Sequence, residues 1–297
     1  MRLLITGAWG DGKNSIAMLE EKGHSVVFMQ YEKDALPCPY EWVEGVVCNG
    51  LFLSHPIEKF TNLRYIQLTS AGFDRVDMDF VKARGIEIRS ARGVYSIPMA
   101  EFALCGVLQL YKQAAFFRER QREHLWEKHR GLRELAGREV LIVGCGSVGS
   151  ECAARFGAFG CRITGVDLFP REDSLYDAIL PLERLDNALG KADVVVLTLP
   201  LTEQTRHLLD ERKLSLLKDG AVIVNIARGA VIDTEALIKH TDRLGGAVLD
   251  VFEEEPLSET DPLWDRENVI LTPHNSFVGE GNKDRLSGVI TGNLERF

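Results

Sequence analysis

The sequence predicts an α/β protein of two doubly wound parallel-sheet domains. Three observations carry this. Short apolar runs alternate with helical patterns along the chain, the signature of parallel strands joined by crossover helices. A strand–Gly-turn–helix opening occurs twice, in LLITGAWGDGKNS (3–15) and in VLIVGCGSVGS (140–150). The length of 297 residues suits two domains of ordinary size.

In the first half, strands are expected near Arg2–Thr6, Ser25–Gln30, Gly45–Cys48, Tyr65–Thr69 and Ile86–Arg89. A long helix should run from Pro98 to about Tyr111, with the proline in its first turn, where a missing N–H costs nothing. The stretch Lys112–Glu134 carries seven Lys/Arg and Trp126, interrupted by Glu119, Glu123 and Glu127. It reads as an exposed helix and arm rather than a nucleic-acid patch. Six further strands follow, at Glu139–Val143, Arg162–Val166, Asp193–Leu199, Ala221–Ile226, Ala247–Val251 and Asn268–Leu271, and the stretch 279–297 reads as helical. The domains expected are 1–97, 98–276, and a C-terminal helix at 277–297 that returns to the first.

Composition narrows the function classes. Hydrophobic residues make up 45% and charged residues 27%, ordinary for a globular chain, and the net charge of −9 disfavours nucleic acid as a partner. No apolar stretch reaches the roughly 18 residues of a membrane span. The opening MRLLITG turns too early for a signal peptide. None of the six cysteines forms a C-x-x-C pair, so neither a disulfide framework nor a metal site is expected, and the reading is cytoplasmic.

The first Gly-rich turn poses a choice. Gly7, Gly12 and Lys13 fit G-x-x-x-x-G-K-[ST], the phosphate-cradling loop of nucleotide hydrolases. Asn14, however, stands where a Ser or Thr would hold Mg²⁺, and Asp11 puts negative charge inside an anion cradle. The turn is therefore read as part of the first domain, with Trp9 as a candidate pocket wall and Lys13 opening a surface helix.

The second turn is more specific. Gly144-x-Gly146-x-x-Gly149 follows a strand, opens a helix, and precedes a strand ending in Asp167. Gly144 permits the tight turn, Gly146 lets backbone approach a pyrophosphate, and Gly149 allows close helix–strand packing. Ser147 and Val148 sit at the helix N-terminus, which favours the anion. Asp167 should bind ribose hydroxyls and repel a 2′-phosphate, so NADH is expected over NADPH. Arg171, four residues on, is the one feature against this. The prediction is a Rossmann NAD-binding domain beside a smaller flavodoxin-like domain that takes the substrate, with a cleft between them.

Ligands bind outside the carboxyl ends of strands in open α/β sheets. Beyond the strand ends of the second domain stand Pro200, Arg228, Asp250, Glu255 and His274. Each alone has a structural explanation, but together they match hydride transfer to a ketone. Arg228 offers a planar fork for a carboxylate or carbonyl oxygen. His274 can supply or accept the proton. Glu255 can orient the imidazole and favour its charged form. They describe an NADH-dependent reductase of 2-keto acids.

The second half resembles the D-isomer-specific 2-hydroxyacid dehydrogenase family, through GCGSVG with Asp167, LTLPLTEQT, VNIARGAVIDTEAL, GAVLDVFEEEPL and NVILTPH. The resemblance implies interconversion of a small 2-keto acid and a D-2-hydroxy acid, of the glyoxylate or hydroxypyruvate type. It places Arg228 on the substrate-binding arginine, Glu255 on the acid of a Glu–His dyad and His274 on the acid/base. It sets Asp250 near the nicotinamide, and Pro200 and Thr205 on a cofactor-side loop. More loosely, SAGFDRVD (70–77) looks like the substrate loop, which would make Ser70, Ala71 and Gly72 main-chain ligands of the carboxylate. Relatives of this kind are usually homodimers, and 112–134 is the candidate contact. The alternative is an NAD(H)-sensing binding protein on the same fold, like the corepressors that resemble this family.

Overall fold

Runs such as VVVL at 194–197 and VIVN at 222–225 are buried along their whole length, which calls for a sheet covered on both faces. The computed structural model describes all 297 residues. They form two units, Met1–Tyr95 with Gly279–Phe297, and Ser96–Val278.

The first unit contains β1 (Arg2–Thr6), α1 (Ile16–Glu21), β2 (Ser25–Met29), β3 (Gly45–Cys48), β4 (Tyr65–Leu68), α2 (Met78–Arg84) and β5 (Glu87–Arg89). Its five strands are parallel in the order β2-β1-β3-β4-β5. The second unit opens with α3 (Ser96–Tyr111), two residues before Pro98, and α4 (Ala114–Arg122). It continues through β6 (Glu139–Val143), α5 (Ser147–Ala158), β7 (Arg162–Asp167), β8 (Ala178–Pro181), α6 (Leu185–Leu189) and β9 (Val194–Leu197). It closes with α7 (Glu211–Ser215), β10 (Val222–Asn225), α8 (Thr234–His240), β11 (Gly246–Leu249) and β12 (Val269–Leu271). Its order, β12-β11-β10-β9-β6-β7-β8, reverses direction between β9 and β6, at the start of the second Gly turn. The last helix, α9 (Asn282–Leu294), belongs to the first unit.

Alternate residues of the seven-stranded sheet feed two cores. Val143, Val195, Leu197 and Ile223 pack on one face with Leu214 and Leu237. Val140, Ile142, Val196 and Val224 pack on the other with Val107 and Phe156. Gly106 in α3 lets that helix sit on β11, since a Cβ there would lie 2.6 Å from the Val248 side chain.

Three sequence expectations change. The second sheet has seven strands, not six; β8 is the missed one. Its residues AILP form a short edge, exposed at both ends, so no apolar run marks it. Trp9 is no pocket wall. It is 1% exposed in a core with Leu286 and Ile290, and its indole N–H donates to Ser287 Oγ at 3.0 Å. Lys13 opens no helix; α1 begins at Ile16.

The phosphate-loop spacing also has a packing cause. A Cβ on Gly7 would lie 2.3 Å from the Gln30 carbonyl oxygen, and one on Gly12 would lie 2.7 Å from Ile5 Cγ2. Asp11 holds Asn14 and Lys283, each at 3.1 Å. The six cysteines are free, and burial pushes the Cys145 and Cys152 thiols up to about 11 and about 12. No helix is long and apolar enough to cross a membrane.

Candidate active site

The turn between β6 and α5 is built around two glycines that tolerate no side chain. Gly144 has φ +98, and a Cβ on it would lie 2.7 Å from Leu199 N. A Cβ on Gly149 would lie 2.2 Å from the Gly144 carbonyl oxygen. Gly146 differs, because a Cβ there meets nothing within 4 Å. The space over it is open, and a side chain would fill it. No side chain caps α5, and Ser147, Val148 and Gly149 lie in its first turn, whose N–H groups lack intrahelical acceptors. This donor set and the helix dipole fit a pyrophosphate.

Asp167 ends β7 against the same turn. Its Oδ2 accepts the Cys145 N–H at 2.7 Å and its Oδ1 the Phe169 N–H at 2.9 Å. A carboxylate has further lone pairs, so both oxygens keep acceptor capacity. Arg171 donates to the Cys145 carbonyl oxygen at 2.7 Å and pairs with Asp173 at 3.2 Å.

After β9, the Thr198 hydroxyl donates to the Gly144 carbonyl oxygen at 2.6 Å and ties this strand end to the Gly turn. Pro200 is exposed. Thr205 is buried, and its hydroxyl closes the 200–205 loop by donating to the Pro200 carbonyl oxygen (2.8 Å) and accepting the Thr202 N–H (2.7 Å).

After β10, buried Asn225 shapes the turn that presents Arg228. Its amide donates to the Arg228 carbonyl oxygen at 3.0 Å and its Oδ1 accepts the Ala227 N–H at 3.1 Å. The Arg228 guanidinium donates to the Ala227 carbonyl oxygen at 2.7 Å. A Cβ on Gly229 would lie 1.8 Å from the Phe252 carbonyl carbon. Only glycine lets the Arg228 turn meet the backbone at 252–253.

That backbone leads to Glu255, whose Oε1 accepts the Phe252 N–H at 3.0 Å and whose Oε2 faces His274 Nδ1 at 2.9 Å. His274 has φ +51, a conformation histidine adopts more readily than most residues. Its N–H donates to the Asp250 carbonyl oxygen at 2.7 Å. The fully buried Asp250 carboxylate accepts the Thr272 hydroxyl (2.7 Å) and the N–H groups of Asn275 (2.7 Å) and Ser276 (2.9 Å). Asp250 therefore braces the turn that carries His274.

Nearby, His207 Nε2 lies 2.7 Å from Glu253 Oε2. Burial opposes ionisation of Glu253, but hydrogen bonds from His207 and Thr234 outweigh it and hold the carboxyl below its usual range. Ser70, Ala71 and Gly72 lie beyond β4 in the first unit, where the Ser70 hydroxyl donates to the Gly72 carbonyl oxygen at 3.0 Å. No group of His, Cys, Asp and Glu is arranged to hold a metal ion.

Sequence reasoning missed Thr198, Asn225 and Thr272. All three are polar residues at the last position of a strand or directly after it, and that placement is the one signal they leave.

A Gly turn at the sheet's reversal point, an acid at the next strand end and a Glu–His pair on the same edge define a dinucleotide-dependent oxidoreductase class. The D-isomer specific 2-hydroxyacid dehydrogenase NAD binding domain profile matches residues 104–276. An (S)-sulfolactate dehydrogenase of Chromohalobacter salexigens is 34% identical over 81% of this chain and 79% of its own. A glyoxylate reductase of Korarchaeum cryptofilum is 33% identical over 94% and 90%. A crystal structure of a D-isomer specific 2-hydroxyacid dehydrogenase family protein from Aeromonas salmonicida superposes with TM-score 0.84 at 30% identity, covering 100% of this chain and 94% of that one. The chain belongs to the D-isomer specific 2-hydroxyacid dehydrogenase family, and is an oxidoreductase with an NAD-binding domain.

Proposed function

We propose that the chain reduces a small 2-keto acid, of the glyoxylate or hydroxypyruvate type, to the D-2-hydroxy acid with NADH. The observation that carries this is the 2.9 Å contact between His274 Nδ1 and Glu255 Oε2, on the sheet edge that also presents Arg228. NADH, when bound, supplies a hydride to the keto carbon. His274 gives its Nε2 proton to the carbonyl oxygen, while its Nδ1–H donates to Glu255, which fixes the ring and compensates the imidazolium charge. Arg228 grips the carboxylate and carbonyl oxygens and balances the negative charge that develops as the carbonyl is reduced. The N–H groups of the 70–72 turn hold the carboxylate. Gly144, Gly146, Ser147, Val148 and Gly149 cradle the pyrophosphate, and Pro200 and Thr205 shape the neighbouring loop. We assign 1–95 with the C-terminal helix as the substrate domain, and the cytoplasm as the setting.

The test is a keto-acid panel run with NADH and NADPH in parallel. Turnover of small 2-keto acids, faster with NADH, is expected. A folded protein that turns over nothing on a broad panel overturns the assignment, and tight NADH binding without turnover favours the corepressor-like reading. Asp167→Asn keeps an acceptor for the Cys145 N–H and removes the charge. It should raise the NADPH:NADH ratio of kcat/KM by roughly tenfold or more. An unchanged ratio removes Asp167 from cofactor selection.

Residues 112–134 are the proposed contact between two copies. Phe117, Leu125, Trp126 and Leu132 are exposed there, Trp126 to 99%. Light scattering should give twice the mass of one chain, and Leu125→Ser with Trp126→Ser should give one. A monomeric wild type removes the assignment.

A further inference from the structure

A recess of about 700 Å³ lies wholly within the first unit, between the segment that runs from β5 to Val94 and one flank of α9. Four arginines line it: Arg89, Arg92, Arg285 and Arg296. No acidic residue does. In a chain of net charge −9, such a one-sided concentration needs a cause. Arg89 is paired with Glu87 at 2.6 Å. Arg285 directs Nε to the Val94 carbonyl oxygen and Nη2 to Asn282 Oδ1, both at 2.8 Å. The guanidinium groups of Arg92 and Arg296 make no hydrogen bond or ion pair within the chain, although the charge of Arg296 is felt by its neighbour Glu295.

The helix that forms one wall carries a second, independent feature. Gly288 and Gly292 are four residues apart, so they share a face. Both line the recess, and a Cβ on either meets nothing within 4 Å. Neither has a positive φ. Glycine inside a helix is less favourable than alanine, and here neither a turn nor a close approach requires it. A side chain at either position would enter the recess. The two glycines weaken the helix and keep the space open.

Two unpartnered guanidinium groups suit an oxyanion with several acceptor oxygens. Phe73, Ile88 and Val289 add an apolar wall. The volume is that of a small-molecule site rather than of a single ion. We propose that this recess, lined by none of the residues assigned to the dinucleotide or the keto acid, is a binding site for a small organic phosphate.

The test is a calorimetric titration of the full-length protein with pyrophosphate at constant ionic strength. NAD⁺ is kept saturating, so that the Gly144–Gly149 turn is filled. One equivalent should bind. Arg296→Glu and Gly292→Glu should each weaken binding by about tenfold or more, the loss of a charge-assisted contact. Gly292→Glu also replaces glycine by a better helix former, so it should fold. Arg184→Glu, an equal charge change in the other unit, should leave binding unchanged, as should Arg228→Ala. Binding that falls as much in Arg184→Glu as in Arg296→Glu marks a bulk-charge effect and overturns the proposal. Loss in Arg228→Ala places the anion in the keto-acid site and overturns it too. Because the readout is binding rather than turnover, a failed keto-acid panel leaves this test standing.

Discussion

His274→Asn should lower kcat for the proposed keto-acid reduction by roughly 10²–10⁴-fold, the range expected when a positioned general acid is removed. Asparagine is the informative replacement. His274 sits at φ +51, where asparagine is tolerated and most residues are strained. Its N–H can still reach the Asp250 carbonyl oxygen, so the turn persists. What disappears is the imidazole, the group proposed to give the proton. NADH affinity and the thermal midpoint should stay at wild-type values, which separates lost chemistry from lost structure. Glu255→Gln should show a smaller loss, because the imidazole stays while its orienting charge goes. If Glu255 acts through the histidine, the double variant should be little worse than His274→Asn alone. If His274→Asn keeps kcat within about threefold of wild type, the proton comes from elsewhere.

What could be read in the sequence was whatever depends on local pattern. The five strands of the first sheet and the Gly turn of the second announce themselves through apolar runs and spacing. Arg228, Glu255 and His274 could be picked out because ligands gather beyond strand ends, and each follows one of three adjacent strands, β10, β11 and β12. Hidden were features created by contact between distant segments. Gly229 stands in VNIARGAVIDTEAL with no local signal of its role, and its reason is the backbone at 252–253. Asp250 reads as a cofactor-side acid by resemblance, yet its carboxylate is held by Thr272, Asn275 and Ser276. Trp9 was misplaced because its partner, Ser287, lies 278 positions away. β8 escaped because an edge strand need bury neither face fully.

Arg228 shows how these distant contacts shape a site, and its replacement is the second large effect expected. Asn225 fixes the turn, Gly229 lets it meet the 252–253 backbone, and the guanidinium is thereby presented on the edge that carries the Glu255–His274 pair. A cation in that place acts more strongly on the transition state than on the bound keto acid, since charge accumulates on the carbonyl oxygen during reduction. Arg228→Ala should therefore lower kcat as well as raise KM, with kcat/KM down by roughly 10³-fold, the upper end of the loss of one oxyanion donor. Arg228→Lys keeps the charge and loses the fork, so it should fall between, by roughly 10- to 100-fold. The ordering matters more than either number. Lysine close to wild type would mean that charge alone suffices and the bidentate grip is dispensable. A rise in KM with unchanged kcat in Arg228→Ala would make the arginine a uniform binder of the carboxylate, with no share in the chemical step. A kcat/KM within threefold of wild type would remove Arg228 from the site.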